Sequence, residues 1–547
     1  MHWAMDSVFQ VVGGRSFQIV AGAIISFAAI LVLLYRALFV IRYPRNLARL
    51  GEQEGIPWLE MKKKFETNAL PLLNDVYENY SKKGRTVLIP MFGPHEGIIL
   101  PASSLQWLCR QPDDVLSTHA AQIDAIQLDN SLGHKFAHDA WGGIMIKTDL
   151  NSVLEPLCNL MNDEVAAVLS DTFGKDSENW KELDLFPACR TLAGRAVLRF
   201  TLGDSPEGRR LSKDEGFLQS CFNVLDGMLE TAGTMGAARK AFRPFLGRWA
   251  SRAMPAKLKD LKQRFEPLYR ERMQLLEQRA ASKEAAVPQD LLQMMLDYAI
   301  KERPDEAYSL DDMTKRLAVL NFGTMHQTVI TLHNIFLDML DSNSEFDTIS
   351  VIRDEVVRVI GDSPDTHTKN WTRAKVLAMT KADSMARETL RVHTFLGCAM
   401  ERLVVAREGL VTEDGIRLPR GSKVSILAHQ AQTDGELFKD PLKYDPFRTS
   451  RAREAAADPS TGRPGLNNLS FVSTSSEFLP FNHGKHACPG RGLVDFQFKM
   501  TLAYTVMNYD LDFPESYGGK RPENTWFGSF GVPPLTAKIR VRRKKDT

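Results

Sequence analysis

Only six of the 547 residues are cysteine (109, 158, 189, 221, 398 and 488), and none has the paired spacing of a disulfide framework or a zinc site. Such sparse thiols suit a reducing compartment. A surplus of one charge is also missing. The 69 Lys and Arg against 67 Asp and Glu leave a net charge of +2, which excludes bulk attraction to nucleic acid. No Gly-x-Gly-x-x-Gly run opens a helix, so a dinucleotide or flavin site of that type is excluded. No internal repeat and no Pro/Gly/Ser-rich linker divides the chain, which predicts one large domain.

One long apolar run is present, Phe17 to Tyr35, and it carries no charge. At about 1.5 Å per residue a helix there spans most of a hydrocarbon core. Arg36, Arg42, Arg45 and Arg49 follow it, against Arg15 alone before it, so the main domain is expected on the cytoplasmic side. The run lacks a small-residue cleavage site, which predicts a retained anchor. The expected organisation is a short N-terminus (1–16), a transmembrane anchor (17–35), a basic linker (36–56) and a catalytic domain (57–547).

The most informative cysteine is Cys488, in Phe481-Asn482-His483-Gly484-Lys485-His486-Ala487-Cys488-Pro489-Gly490. Gly484 and Gly490 permit backbone geometries that a Cβ blocks. The apolar segment Leu493 to Met507 predicts a buried helix starting just past the sulfur. A sulfur at a helix N-terminus is stabilised as thiolate by backbone N–H groups and the helix dipole. The pattern Phe-x-x-Gly-x-x-x-Cys-x-Gly resembles the signature of the cytochrome P450 family of haem-thiolate monooxygenases. The alternative is an inert buried cysteine before a core helix.

The resemblance implies a mainly α fold with small β-sheets, here preceded by one N-terminal transmembrane helix. It also implies haem b (iron protoporphyrin IX) held through Cys488, with Phe481, Gly484 and Gly490 shaping the loop. A thiolate ligand favours O–O bond cleavage. Glu388 and Arg391, one helical face apart, match the family's Glu-x-x-Arg, and Arg448 in Tyr444-Asp445-Pro446-Phe447-Arg448 matches the arginine of the following segment. Together they are expected to form a buried charge network under the haem. Haem carboxylates need cationic partners, and His486 and Arg402 are the candidates. The alternatives are a plain loop histidine and a strand-end surface charge. The family's Trp-x-x-x-Arg is not kept, since Met145 stands four residues after Trp141; Lys147 is a weak substitute.

Arg316 to Leu340 predicts one long, all-round apolar helix, as befits a protein centre. By resemblance its middle, Phe322-Gly323-Thr324-Met325-His326-Gln327-Thr328, places His326 where the family usually has an acid and Gln327 where it usually has a threonine. His326 is then the proton shuttle, with Gln327 or Thr328 holding a relay water. Otherwise it is a satisfied core histidine turned from the haem. The implied pocket is apolar and lined by Ile123, Ile126, Phe322, Met325, Phe395, Leu396, Phe530 and Val532.

Further helices are predicted at roughly 57–82, 152–172, 185–202, 215–232, 255–282, 288–303, 346–360 and 374–392. Short strands are predicted at Thr86 to Pro90, Gly97 to Leu100, Leu403 to Val405 and Val424 to Leu427, and a surface insertion at Thr449 to Ser476. The pair His134-x-x-x-His138 has metal-like spacing but no third ligand near it in sequence, which predicts a surface pair. Basic and aromatic residues alternate from Ala238 to Phe265, either at a membrane interface or as a surface helix.

With O2 and NADPH as co-substrates, the resemblance implies a separate NADPH-cytochrome P450 reductase, with cytochrome b5 as a second electron donor. Lys485, Arg491 and Lys499 are then the basic docking face, or ordinary solvated charges. The expected activity is oxidation of a bulky apolar secondary metabolite, terpenoid-like or polycyclic, at the endoplasmic reticulum membrane of a fungus. Oxidative phenol coupling and a non-catalytic haem sensor are the alternatives.

Overall fold

The computed structural model describes residues 40–281, 288–366, 369–456 and 467–545, together with 23–27, 30 and 33. The expected anchor, 17–35, lies mostly outside the described residues. Among those described, no helix is long and apolar enough to cross a membrane. Ten residues of the expected surface insertion, 457–466, also lie outside.

Helices dominate. The helix Trp141–Phe173 packs on Leu185–Leu202 and on Arg491–Asn508, and His326–Phe346 packs on Leu185–Leu202 and Thr380–Val392. Their apolar faces merge into one large core that includes Phe200, Phe217, Phe265 and Phe336, all effectively without solvent contact. The start of Trp141–Phe173 was hidden in sequence by Gly142 and Gly143, which are poor helix formers. Burial of Trp141 overrides them: its indole N–H donates to Glu306 Oε2 at 3.1 Å, and its ring stacks on Tyr298.

A smaller six-stranded sheet stands beside this core. Val87–Pro90 runs antiparallel to Glu96–Ile99, which is parallel to Lys423–Leu427, which in turn is antiparallel to Cys398–Val404. The ladder of the last pair slips between Ala399 and Arg402, where Met400 takes φ +61°. Such a bulge re-aims the following side chain. Here that side chain is Arg402.

The long central helix is interrupted. It forms two segments in series, Leu310–Thr324 and His326–Phe346, with the break at Met325. Thr324 donates its hydroxyl back to Leu320 O and Asn321 O, and Thr328 donates to Thr324 O at 2.6 Å. Hydroxyl back-bonding competes with the helix ladder and bends it, and hydropathy counting does not register that effect.

Candidate active site

The cysteine loop is pinned at both ends. Cys488 N–H donates to Phe481 O at 2.8 Å, closing the turn, and the helix Arg491–Asn508 starts directly after Gly490. Gly484 takes φ +67°, and a Cβ there would press to 3.1 Å of Cys109 Sγ, so glycine is required on two counts. Asn482 accepts the N–H of Met400 at 2.8 Å, tying the loop to the bulge of the sheet. The ring of Phe481 meets Phe471 edge-on at 5.4 Å. Burial pushes the Cys488 thiol up, while the N–H groups of Gly490 and Arg491 and the Arg491 charge pull it down. A bound cation is what converts such a thiol fully to thiolate.

On the helix Thr380–Val392, Glu388 and Arg391 are 1 % and 2 % exposed. Arg391 donates Nε and Nη2 to the two Glu388 oxygens, each at 2.8 Å, and Arg448 Nε reaches Glu388 Oε1 at 3.0 Å. The remaining guanidinium hydrogens go to backbone carbonyls: Gln432 and Pro441 for Arg391, Lys439 and Asp440 for Arg448, and Lys443 for both. Every charge in the trio is thus answered, the condition under which a buried ion pair is tolerated.

The loop's cationic neighbours divide. Arg402 is 2 % exposed; one nitrogen donates to Glu401 O at 2.9 Å, while buried Nη2 finds no partner among the described residues. It is therefore no surface charge. An orphaned buried guanidinium nitrogen is costly unless an acceptor arrives. Burial lowers the pKa of His486, and Arg402 lowers it further; His486 Nε2 lies 2.9 Å from Asp113. Lys147 is exposed and donates to Lys485 O at 3.2 Å. Lys499 corrects the expected docking face. It is buried between Asp383 (2.8 Å) and Asp495 (2.7 Å) and is unavailable to a partner. Lys485 pairs with Asp113 at the surface, and Arg491 donates to Cys488 O at 2.6 Å.

At the helix break, His326 and Gln327 part company. Gly323 and Gln327, one helical turn apart, are exposed, and a Cβ added to Gly323 would meet nothing within 4 Å. This face of an otherwise buried helix borders open space. His326 turns to the neighbouring helix Glu215–Gly236, its Nε2 3.5 Å from Asp226 and its ring beside Phe222 and Phe322. Arg190 clamps Asp226 at 3.0 Å from the helix Leu185–Leu202. Burial lowers the pKa of His326, Asp226 opposes this, and Arg190 adds to it, so the neutral imidazole is favoured. Asp226 and Arg190 carried no sequence signal, being about a hundred or more residues away along the chain.

Of the expected lining, Ile123 and Ile126 sit on the helix Thr118–Ile126, capped by Ser117 accepting from Ala120 N–H. Phe322 is partly buried just before the break, and Met325, the break residue itself, is fully buried in the core. Leu396 bridges to Phe530, and the rings of Phe395 and Phe530 are 5.3 Å apart; Val532 lies on the same hairpin. Phe530 is partly exposed. The Cys488 sulfur at a helix start, the unanswered Arg402 nitrogen and the open side of Gly323 together fit an iron porphyrin with carboxylate edges.

The Cytochrome P450 family model matches residues 147–541. The chain is 43 % identical over 510 residues to cytochrome P450 monooxygenase pbrC of Penicillium brasilianum, spanning 92 % of this chain and 93 % of that protein. It is 42 % identical to cytochrome P450 monooxygenase astC of Aspergillus terreus, with the same coverage. It is 37 % identical to cytochrome P450 monooxygenase tenB of Beauveria bassiana, spanning 92 % of both. The structure of retinoic acid-bound cyanobacterial CYP120A1 superposes with a TM-score of 0.60 at 16 % identity, over 92 % of this chain and all of that one, a likeness of fold. The chain belongs to the cytochrome P450 family and is a monooxygenase, an oxidoreductase.

Proposed function

We propose that this protein uses O2 and reductase-delivered electrons to hydroxylate, or further oxidise, a bulky apolar secondary metabolite of a fungus. The observation that carries the reading is the uncharged character of the pocket segments. Ile123, Ile126, Phe322, Phe395, Leu396 and Phe530 are apolar, and the carboxylate between the first two, Asp124, is taken up by Arg243 at 2.8 Å and Lys423 at 3.1 Å. No free counter-charge there invites an ionic substrate.

Haem b, when bound, supplies the oxygen activation; Cys488 would hold its iron and Arg402 and His486 its carboxylates. The chain's own groups then manage protons. Thr328 has spent its hydroxyl hydrogen on Thr324 O, so at the break its oxygen accepts. Gln327, facing the open side, orients water. Neutral His326 takes a proton from the Asp226 side and passes it inward, a role suited to imidazole. The Glu388–Arg391–Arg448 network keeps the loop in place.

The proposed organisation keeps residues 57–547 as the catalytic domain, on the cytoplasmic face of the endoplasmic reticulum, with 1–16 lumenal, 17–35 as anchor and 36–56 as linker. Exposed Phe242, Phe245 and Trp249, at and on the helix Arg243–Ala250, support a second membrane contact. NADPH-cytochrome P450 reductase is the proposed donor, with cytochrome b5 as auxiliary. Incubating the reconstituted pair with metabolite extract from a deletion strain tests the reading. NADPH-dependent gain of one oxygen is expected. A dimer with hydrogens lost means phenol coupling, and absence of any NADPH-dependent product refutes catalysis.

A further inference from the structure

The oxygen chemistry leaves one motif of the sequence unused, His134-x-x-x-His138. The fold brings a third donor onto it, Asp129, five residues before His134 in the sequence. His134 and His138 occupy one face of the short helix His134–His138, and Asp129 comes from the preceding helix, Leu128–Ser131. The chain reverses between the two at Gly133, whose φ of +104° is open to glycine and strained for other residues. Asp129 Oδ1 lies 3.0 Å from His134 Nδ1 and 3.2 Å from His138 Nε2, and Oδ2 lies 3.3 Å from His138 Nε2.

We propose that Asp129, His134 and His138 bind a divalent transition-metal ion of the zinc class. Ligands at bonds of about 2.0–2.2 Å and angles between square and tetrahedral stand roughly 3.0–3.5 Å apart, which covers both Asp–His separations here. All three donors lie within 4.8 Å of one another. Two imidazoles and one carboxylate favour zinc, cobalt, nickel or copper over magnesium and calcium, which prefer oxygen. The side chains of His134, His138 and Asp129 are 81, 46 and 39 % exposed, so an ion reaches them directly from solvent. The nearest cation in sequence, Lys135, is engaged by Asp312 at 2.8 Å and Glu306 at 3.3 Å and does not compete. A third imidazole, His119, meets His138 edge-on at 6.5 Å, and its buried Nε2 has no partner among the described residues.

Bound metal would staple the two short helices that continue from Thr118–Ile126. Binding itself is independent of what the pocket accepts. The test is calorimetric titration of the haem-loaded full chain with ZnCl2, beside thermal melts with ZnCl2 or MgCl2. Wild type is expected to take up one more equivalent of Zn2+ than the His134→Gln/His138→Gln double variant, and to gain Tm with zinc and not with magnesium. Asp129→Asn is expected to weaken that equivalent at least tenfold. These side chains are on the surface, and equal haem content in all variants checks their folding. Equal zinc stoichiometry in wild type and the double variant, or a zinc response of Tm that survives it, overturns the site.

Discussion

The two sides of the active site are built differently. On the cysteine side, one carboxylate, Glu388, gathers Arg391, Arg448 and the Asp445 N–H, and backbone carbonyls complete the arginines. On the far side, among the described residues, His326 has one carboxylate, Asp226, at 3.5 Å, and Thr328 donates back across the break to Thr324 O. Rigid placement of a metal-binding sulfur demands many short, buried bonds. The proton path proposed for the far side needs groups free to exchange partners, which fewer bonds allow.

The contrast is broken most severely by Cys488→Ser. It should abolish the thiolate-type absorption of the reduced, carbon monoxide-bound protein and all turnover; a variant that keeps both ends the assignment. Next comes Glu388→Ala, which leaves the buried Arg391 and the partly buried Arg448 without their anion. A destabilisation of about 3–5 kcal/mol and loss of haem on purification are expected, read by denaturant unfolding and haem content. A stable, fully loaded variant would show the network to be dispensable.

Acid should act next, through buried histidines. Burial first and Arg521 second lower the pKa of His333 to about 4, and burial first, then His393 and Arg391, lower His429 to about 4. Both are neutral in the fold, and the unfolded chain binds the proton near 6.5. Stability is therefore full above that value and is lost as pH falls from about 6.5 to about 4, by up to roughly 3 kcal/mol for each. His333→Gln should flatten the melting-temperature profile across this window; an unchanged slope refutes it. The smallest effect belongs to Asp226→Asn. Removing this partly exposed carboxylate, an interaction worth about 1 kcal/mol, should change coupling of NADPH to product by about fivefold or less, with more peroxide released and the pH optimum moved down, since Asp226 holds the His326 pKa up. Unaltered peroxide release would remove Asp226 from the proton path.

Much of the cysteine side was legible because its signals are local. The Phe481–Gly490 loop and the Glu388/Arg391 spacing each lie within one segment; so does the periodicity of Leu185–Leu202, a helix on the other side, which has the predicted bounds. Arg402 was only half legible: its charge was visible, while its burial depends on a bulge at Met400 held by Asn482 from a distant loop. The break at Met325 was missed because hydroxyl–carbonyl competition leaves no mark on hydropathy. The three-stranded sheet of Lys181–Asp184, Tyr509–Asp512 and Lys538–Arg543 was also missed, since its strands are short and charged and one of its two pairings reaches across more than three hundred residues.

By itself the sequence determined the thiol at a helix start, the glycines around it and the acid–base spacing one turn apart, because these follow from the reach of a few consecutive residues. Tertiary structure alone decided that Arg402 is buried, that Lys499 is spent inside, that His326 faces Asp226, and that Asp129 closes on two histidines. Charge and hydrogen-bond partners are chosen by proximity in space, and proximity between separate elements is set by packing of the core.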